Sequence, residues 1–449
     1  MQDRRHAEDI LQRALGAAQS DEADAVFITT DRNISRFANS SVHQNMSEMT
    51  AELSLRVVVD GAMGVASTTV FDEEEIVRTA GLARETARHA RRLPGFNGLL
   101  REVSPVPEVV AFDEPTAAIA PAAKATELRQ MFDRGRSRSI EFAGSYTTSA
   151  MSVGCANSHG VSRFCRASFA DATVIALSNG ASGYATRCGR TAPAVDVTAL
   201  GEEASEKATL LRGTEESFEP GRYDVIVEPA AIAEVLDWMN MITFCGQSYE
   251  DGSSFFVGNI GRKLLSDSLT IADDALDPGF LPFPFDLEGF PKRRVPLIEQ
   301  GIIRTPVVDK AWSDRLGISP TGNAWHLGSP EHGIAFHLSV APGDKTREEL
   351  IAMTERGIWV TRFNYINGLL EPRTALMTGT TRDGTFLIRD GRVVARLPNL
   401  RWTQSIVEAF GAVDGLSRDR RAIGTWYNQF GGTLAPTVRI RGWNFTAGS

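Results

Sequence analysis

Residues 357–394 read GIWVTRFNYINGLLEPRTALMTGTTRDGTFLIRDGRVV, and the rest of the chain is read outward from them. Short apolar runs of strand-forming type alternate with glycine, arginine and threonine at a density that core packing alone does not require. Period-two alternation puts Arg362 and Asn364 on one face of a strand and Phe363 on the other. GTFLIR, then Asp390 and Gly391, then RVVAR spell a two-residue hairpin, because Asp-Gly accepts the positive φ that such a turn demands. Arg373, Thr378, Thr380, Thr381, Arg382 and Asp383 are expected to crowd a turn-rich region just before it. Two uses fit this density. The planar arginine forks can clamp a peptide carboxylate or backbone, or the polar groups can satisfy one another and set strand register.

Alternating, glycine-punctuated strands extend from Ile334 to the terminal TVRIRGWNF, with a short helix expected near 403–410. Upstream, residues 278–296 hold five prolines and four phenylalanines. That tract is too irregular for a central sheet and long enough to drape over a cleft or another subunit. YDVIVEP reads as a strand and 230–242 as a largely buried helix. The glycine- and acid-containing stretch 213–221 is the expected boundary between a region 1–215 and a region 221–449.

Within the first region, Ile10, Leu11, Ala14, Leu15 and Ala18 mark an amphipathic helix, and AELSLRVVVDGAMGVAST marks a twisted hairpin. Ile76, Ala80, Ala83, Ala87 and Ala90 share one face of a second helix, whose acids lead and whose arginines trail, as the helix dipole favours. The proline-rich segment near 93–118 reads as a crossing connection and a candidate subdivision. A helix over 120–135, strands at 140–153 and 161–177 joined by a turn at 157–160, and a helix from Asp196 to Leu211 complete the region. No tandem repeat or low-complexity segment is evident.

A chain of 449 residues carries a soft prior of about three domains. With 42% hydrophobic and 23% charged residues it can bury a core without disulfide or metal staples. The net charge of -9 disfavours a general nucleic-acid surface. The basic clusters at 292–294 and 418–421 read as solvated faces. The four cysteines form no CxxC pair, which suits free buried thiols in a reducing compartment. No apolar signal core opens the chain and no window of eighteen apolar residues interrupts it, so a soluble cytoplasmic protein without a membrane segment is expected.

Dinucleotide, P-loop and GxSxG patterns are absent. The seven histidines, at 6, 43, 89, 159, 326, 332 and 337, include no pair three or four apart on a helix, the spacing that presents two imidazoles to zinc. An unconventional hydrolase would have to gather residues such as His326, His332, His337 and Asp309 through tertiary folding. Cys245, behind an apolar helix, reads as a small core residue.

TRFNYINGLLEPRTALMTGTTRDGTFLIRDGRVV closely resembles the signature of the TldD/PmbA family, also described as modulators of DNA gyrase. RFANSSVHQN, PLIEQGIIRTPVVDKAWSDRLGISPTGNA and PGDKTREELIAMTERG extend the resemblance in order along nearly the whole chain. It implies an α+β protein, with an α/β N-terminal region followed by a large β-rich, barrel-like C-terminal domain. It also implies a homodimer, or a heterodimer of a TldD-like zinc peptidase with a PmbA-like (TldE-like) chain, working on unfolded or leader peptides.

The TldD-like chain carries a helical HExxxH motif and a later cysteine ligand. Aligned through Glu228 and Pro229, this chain places Asp237 and Trp238 at the His-Glu pair and Ile242 at the second histidine, and NQFGGTLAPTVRI supplies no cysteine. An indole cannot act as general base and isoleucine has no donor. The resemblance therefore implies a PmbA/TldE-like subunit with no metal of its own, which shapes the peptide cleft of a zinc-bearing partner. Catalytic residues are not identified. Arg362, Asn364, Arg373 and Arg382 are the candidates for substrate or interface contact. A homodimeric hydrolase and a non-enzymatic peptide-binding module are the alternatives.

Overall fold

The computed structural model describes residues 3–101, 104–328, 332–425 and 431–448. Helix α1 (Arg4–Ala18) leads into strands β1 (Glu22–Ala38), β2 (Ser41–Val59) and β3 (Ala62–Thr68) and then α2 (Glu73–His89). After a crossing segment and the short α3 (Glu114–Ala117), α4 (Pro121–Arg136) leads into β4 (Glu141–Asn157), β5 (Ser162–Ser178), β6 (Ala181–Gly189) and α5 (Val197–Thr209). The six strands form one sheet in the order β3-β2-β1-β4-β5-β6, antiparallel throughout. Helix, three strands, helix therefore occurs twice, the two copies meeting at β1 and β4.

This internal duplication overturns the expectation of no repeat, and it has a local cause. DGAMGVA (60–66) and NGASGYA (179–185) occupy equivalent places. In each, the first two residues take positive φ, 50° and 76° at Asp60 and Gly61, 46° and 80° at Asn179 and Gly180, which makes a tight hairpin. In each, the later glycine lets a helix backbone lie directly on the strand. A Cβ on Gly64 would stand 2.1 Å from the Ala83 carbonyl oxygen, and one on Gly183 would stand 2.1 Å from that of Ala204. Buried Ala83 and Ala87 on α2, and Ala204 and Ala208 on α5, complete the close approach. Ala90 caps α2 and is exposed, outside the helical face expected to include it.

The four long helices cover one face of the sheet. On the other, Val26, Met151 and Val153 pack under Phe283, Phe285 and Leu327 of the C-terminal region. β3 pairs with β2 only over Leu53–Val59, so residues 41–52 of β2 have β1 on one side and, among the described residues, no strand on the other.

The C-terminal region comprises β7 (Gly221–Val227), α6 (Pro229–Met239), α7 (Gly246–Glu250), β8 (Ile271–Asp273), β9 (Val295–Glu299), β10 (Ile302–Ile303), α8 (Lys310–Leu316), β11 (His337–Val340) and α9 (Arg347–Ala352). Then follow β12 (Arg356–Glu371), β13 (Leu376–Arg389), β14 (Arg392–Arg396), β15 (Leu400–Ser405), α10 (Ile406–Gly411), β16 (Val413–Gly424) and β17 (Gly432–Gly448). The barrel-like closure is not found. The eleven strands form one sheet running β10-β9-β8-β11-β17-β15-β13-β12-β7, with β14 and β16 branching from it. The reason lies in β17, which serves β11 at Gly432–Leu434, β16 up to Ile440, β7 from Val438 to Phe445 and β15 from Phe445 onward. Because β17 divides its length among four partners, and takes β7 from the far end of the path as one of them, the eleven strands make a branched sheet and not one barrel of all its strands.

Of the turn-rich region expected before the β13–β14 hairpin, only Arg373 lies in a turn; Thr378 to Asp383 belong to one strand, bulged at Asp383 and Gly384, where φ is 52° and 136°. The hairpin itself has Asp390 and Gly391 at φ 53° and 72°, as the Asp-Gly pair requires. The core behind this sheet centres on Phe363, Trp402 and Trp443, whose ring centroids lie 4.8 to 5.4 Å apart.

A buried charge network joins the two regions. Lys207 of α5 donates to Glu203 at 2.7 Å and to Glu228, at the start of α6, at 2.6 Å. Arg421 of β16 holds Glu203 through two bonds of 2.9 and 2.7 Å. Glu228 also accepts from the Trp359 indole at 3.0 Å, and Arg347 lies 3.4 Å away. Burial alone pushes the Glu203 carboxyl up, but Lys207 and Arg421 outweigh it and bring it down to about 2.

A carboxyl held below its unfolded value stabilises the fold above the unfolded pKa and loses that contribution as pH falls through the folded one. The wild-type melting temperature is therefore expected to fall between about pH 4.5 and pH 2 through a loss of about 3 kcal/mol at this site, and Glu203→Gln to be flatter across that window. Thermal denaturation followed by circular dichroism reads the difference.

Candidate functional site

Helix α6 begins where Pro229 fixes the first helical φ after Glu228. Its apolar residues Ala231, Ile232, Val235, Leu236 and Met239 are buried against the C-terminal sheet. Beyond Met239 the chain widens into a π-helical turn, Asn240–Phe244, which the expected plain helix over 230–242 does not contain. There Asn240 donates to the Ala335 carbonyl at 2.8 Å and accepts from the Ala335 N–H at 3.0 Å, so a side chain takes the place of a strand neighbour. Nothing in the periodicity distinguishes this turn from α-helix; a lone asparagine amid apolar residues was its one sign.

Asp237 is buried, with one carboxylate oxygen lacking a hydrogen-bond partner. Trp238 is half-buried against Gly368, and Ile242 is in the core. One turn before Asp237, Glu234 is pushed up to about 7 by burial, partly offset by Arg362 and the Ile366 N–H. Asp237 is pushed well up by burial and then by the charge of Glu234. Zinc needs several convergent nitrogen, sulfur or carboxylate donors. Here the three motif positions offer one carboxylate, and no group of three or more His, Cys, Asp and Glu side chains able to hold a metal ion occurs among the described residues. Residues 428–430 of the segment NQFGGTLAPTVRI lie outside the described residues.

The four candidates of the opening stretch come only partly together. Arg362 and Arg382 face each other across β12 and β13, and Asn364 faces Thr380. Arg362 is committed to Asp383 at 2.8 Å and lies over the Tyr184 ring at 4.4 Å, while Ser182 donates to the same Asp383 at 2.7 Å. Arg382 is exposed, and Arg373 is exposed in a 3-10 turn, Pro372–Thr374. The threonines clip strands: Thr378 donates to the Trp402 carbonyl, Thr380 to that of Asn364, and Thr381 accepts from Leu400 N–H. Much of the polar density thus sets register and docks β6 on β13.

His326, His332 and His337 do not converge on one carboxylate. His332 pairs with Asp309 at 3.0 Å and stacks on Trp312, His326 lies 3.7 Å from Glu52, and the His337 backbone N–H bonds Asp273.

The proline- and phenylalanine-rich tract roofs a cleft of about 500 Å3 on the helix-free face of the N-terminal sheet. Phe283, Phe285, Trp325 and Phe336 line its roof, and Ile28, Thr30 and Thr50 its floor. The roof is pinned by Glu288, which Arg56 contacts at 2.8 Å while also bonding Asp24 at 2.9 Å. The expected draping of this tract over a cleft is what the structure has; sequence reasoning missed the floor, because the two walls are some 230 residues apart in the chain, as Arg56 and Glu288 are.

Because Glu234 is raised, its ionisation costs folding free energy as pH climbs from the unfolded value towards about 7. Glu234→Gln is expected to match the wild-type melting temperature near pH 4.5 and exceed it at about pH 8, by up to about 3 kcal/mol of stability. Differential scanning calorimetry at the two pH values checks this.

With this geometry in hand, comparison with known proteins is direct. The family profile described as PmbA/TldA metallopeptidase C-terminal domain matches residues 220–447, and that of PmbA/TldA metallopeptidase domain 1 matches residues 23–87. A metalloprotease of Methanothermobacter thermautotrophicus is 25% identical over 258 residues, 55% of each chain, so the match spans about half the length of that relative. Metalloprotease PmbA of Escherichia coli O157:H7 is 24% identical over 408 residues, 87% of this chain and 85% of its own. The crystal structure of TldE from Thermococcus kodakarensis has the same fold, with a TM-score of 0.87 at 18% identity over 98% of this chain and 99% of that one. No helix among the described residues is long and apolar enough to cross a membrane. The C-terminal match alone takes in more than half of the residues, and an α6 without HExxxH is consistent with a PmbA/TldE-like member: the chain belongs to the TldD/PmbA metallopeptidase family.

Proposed function

We propose that this chain is the metal-free, PmbA/TldE-like subunit of a TldD/TldE-type peptidase, and that it shapes the cleft in which a zinc-bearing partner cleaves unfolded or leader peptides in the cytoplasm. The observation that carries the reading is α6. Where the family's zinc helix would present two histidines and a general base, α6 and the π-helical turn after it present a buried carboxyl, an indole and an isoleucine. Zinc in the partner would polarise the scissile carbonyl and activate water.

A surface for that partner lies beside α6. Tyr365, Leu369 and Leu370 on β12 are 88%, 63% and 49% exposed, an apolar strip next to the half-buried Trp238. Asn364, Arg373 and Arg382 border the same hairpin and would contact the partner or its peptide, while Arg362 holds the hairpin to β6. A homodimer would use the same strip without acquiring a zinc ligand set.

Co-expression with a TldD-like chain from the same source, followed by a peptide-cleavage assay, tests the reading. Cleavage is expected from the mixture and not from this chain alone. Arg382→Ala with Arg373→Ala is expected to lower cleavage or co-purification while leaving the melting temperature within about 1 °C, since exposed charges contribute little to stability. Turnover of peptide by this chain alone would overturn the proposal.

A further inference from the structure

The free half of β2 borders the roofed cleft. Residues 41–52 form twelve residues of strand with no strand paired on the outer side among the described residues, and Glu48, Thr50 and Glu52 of this run also line the cleft. Proteins usually protect such an edge with lysine, proline or a covering element. This one, SVHQNMSEMTAE, contains neither lysine nor proline. Beside it, the roof presents aromatic side chains over a floor of Ile28, Thr30 and Thr50, in a volume within the range of small-ligand and side-chain pockets.

We propose that this edge and cleft are a peptide-docking site: an extended peptide adds to β2 as a seventh strand, with one large apolar side chain in the cleft and a basic residue beside it. The proposal rests on the reading that the chain works on peptides. Main-chain hydrogen bonds to β2 give sequence-tolerant affinity, and the cleft selects one side chain in every two, as strand addition does elsewhere.

Charge chooses the occupant. The edge strand's own charges along this run, Glu48 and Glu52, are acidic. Of the cations lining the cleft, Lys292 is buried and turned to Asp273 at 3.4 Å, and Arg32 sits one strand inward, opposite Glu48. Asp286 at the back of the cleft is already engaged by the N–H groups of Glu288, Phe290 and Ala324. His326, at the rim, lies 3.7 Å from Glu52, and the other lining histidine, His337, stands beside the buried Asp273. A second copy of β2 laid on this edge would bring like charges together, which is unfavourable. A peptide with a basic residue two positions from its apolar anchor, and so on the same face, would not.

The test is binding of a fluorescein-labelled peptide, STFVRVTS, whose Phe and Arg share one face of an extended strand, to the full chain, followed by anisotropy. The same peptide N-methylated at alternate amides loses its strand donors and is expected to bind at least about tenfold more weakly. Glu48→Lys with Glu52→Lys, both exposed, is expected to cost the parent peptide about tenfold. Met49→Lys, on the opposite face and 69% exposed, is expected to stay within about twofold. Equal binding of the methylated peptide, indifference to the double charge reversal, absence of saturable binding, or a concentration-dependent dimer formed through this edge would each overturn the site. Binding here without cleavage in any mixture would leave the docking edge standing and remove the subunit reading; cleavage by a mixture containing the double variant, at the wild-type KM, would do the reverse.

Discussion

Lys207, Glu203, Glu228, Arg421 and Arg347 bind α5, the first turn of α6, β16 and α9 into one charged junction, and the arrangement of both sheets depends on it. The Lys207 ammonium has three donors, and all three are used, by Tyr184 O, Glu203 and Glu228. Taking these charges out of water is expensive, and apolar residues of similar shape could serve stability as well. What apolar residues would not supply is direction. Each bond is satisfied only if α5, which belongs to the duplicated sheet, meets the N-terminus of α6 at one angle. The same junction therefore sets where α6 begins, and with it the placing of Asp237 and Trp238.

Two halves built alike, and one sheet that branches, are differently legible in the chain. The hairpin at Asp390 and Gly391, the amphipathic helices and the alternation of Arg362, Phe363 and Asn364 could be read from period and turn chemistry, because each is decided within a few residues. The duplication left a residue-level trace, DGAMGVA and NGASGYA, since a tight turn followed by a strand glycine under a helix admits few alternatives. The rest of each half diverged freely and hid it. The course of β17 could not be read at all: four pairings along one strand are decided by partners far away in the chain.

The candidate site divides in the same way. That Asp237, Trp238 and Ile242 offer at most one zinc donor between them is a matter of residue identity and was plain in the sequence. That Asp237 is buried beside Glu234, and that Arg362 is spent on Asp383 and Tyr184, are tertiary facts. They change the meaning of the conspicuous polar stretch, much of which clips strands and docks the duplicated sheet. The surfaces proposed for a peptide or partner are the free half of β2 and, within that stretch, the exposed apolar strip of β12. The irregular proline- and phenylalanine-rich tract, unremarkable for catalysis, is what roofs the cleft.

The central claim is that α6 has exchanged metal ligation for packing. Zinc content of the isolated full chain, measured by inductively coupled plasma mass spectrometry after dialysis against zinc and then against buffer, tests it most directly. The account predicts far less than one zinc per chain, with no change in Asp237→Asn. One tightly held zinc per chain, lost in Asp237→Asn, would contradict it.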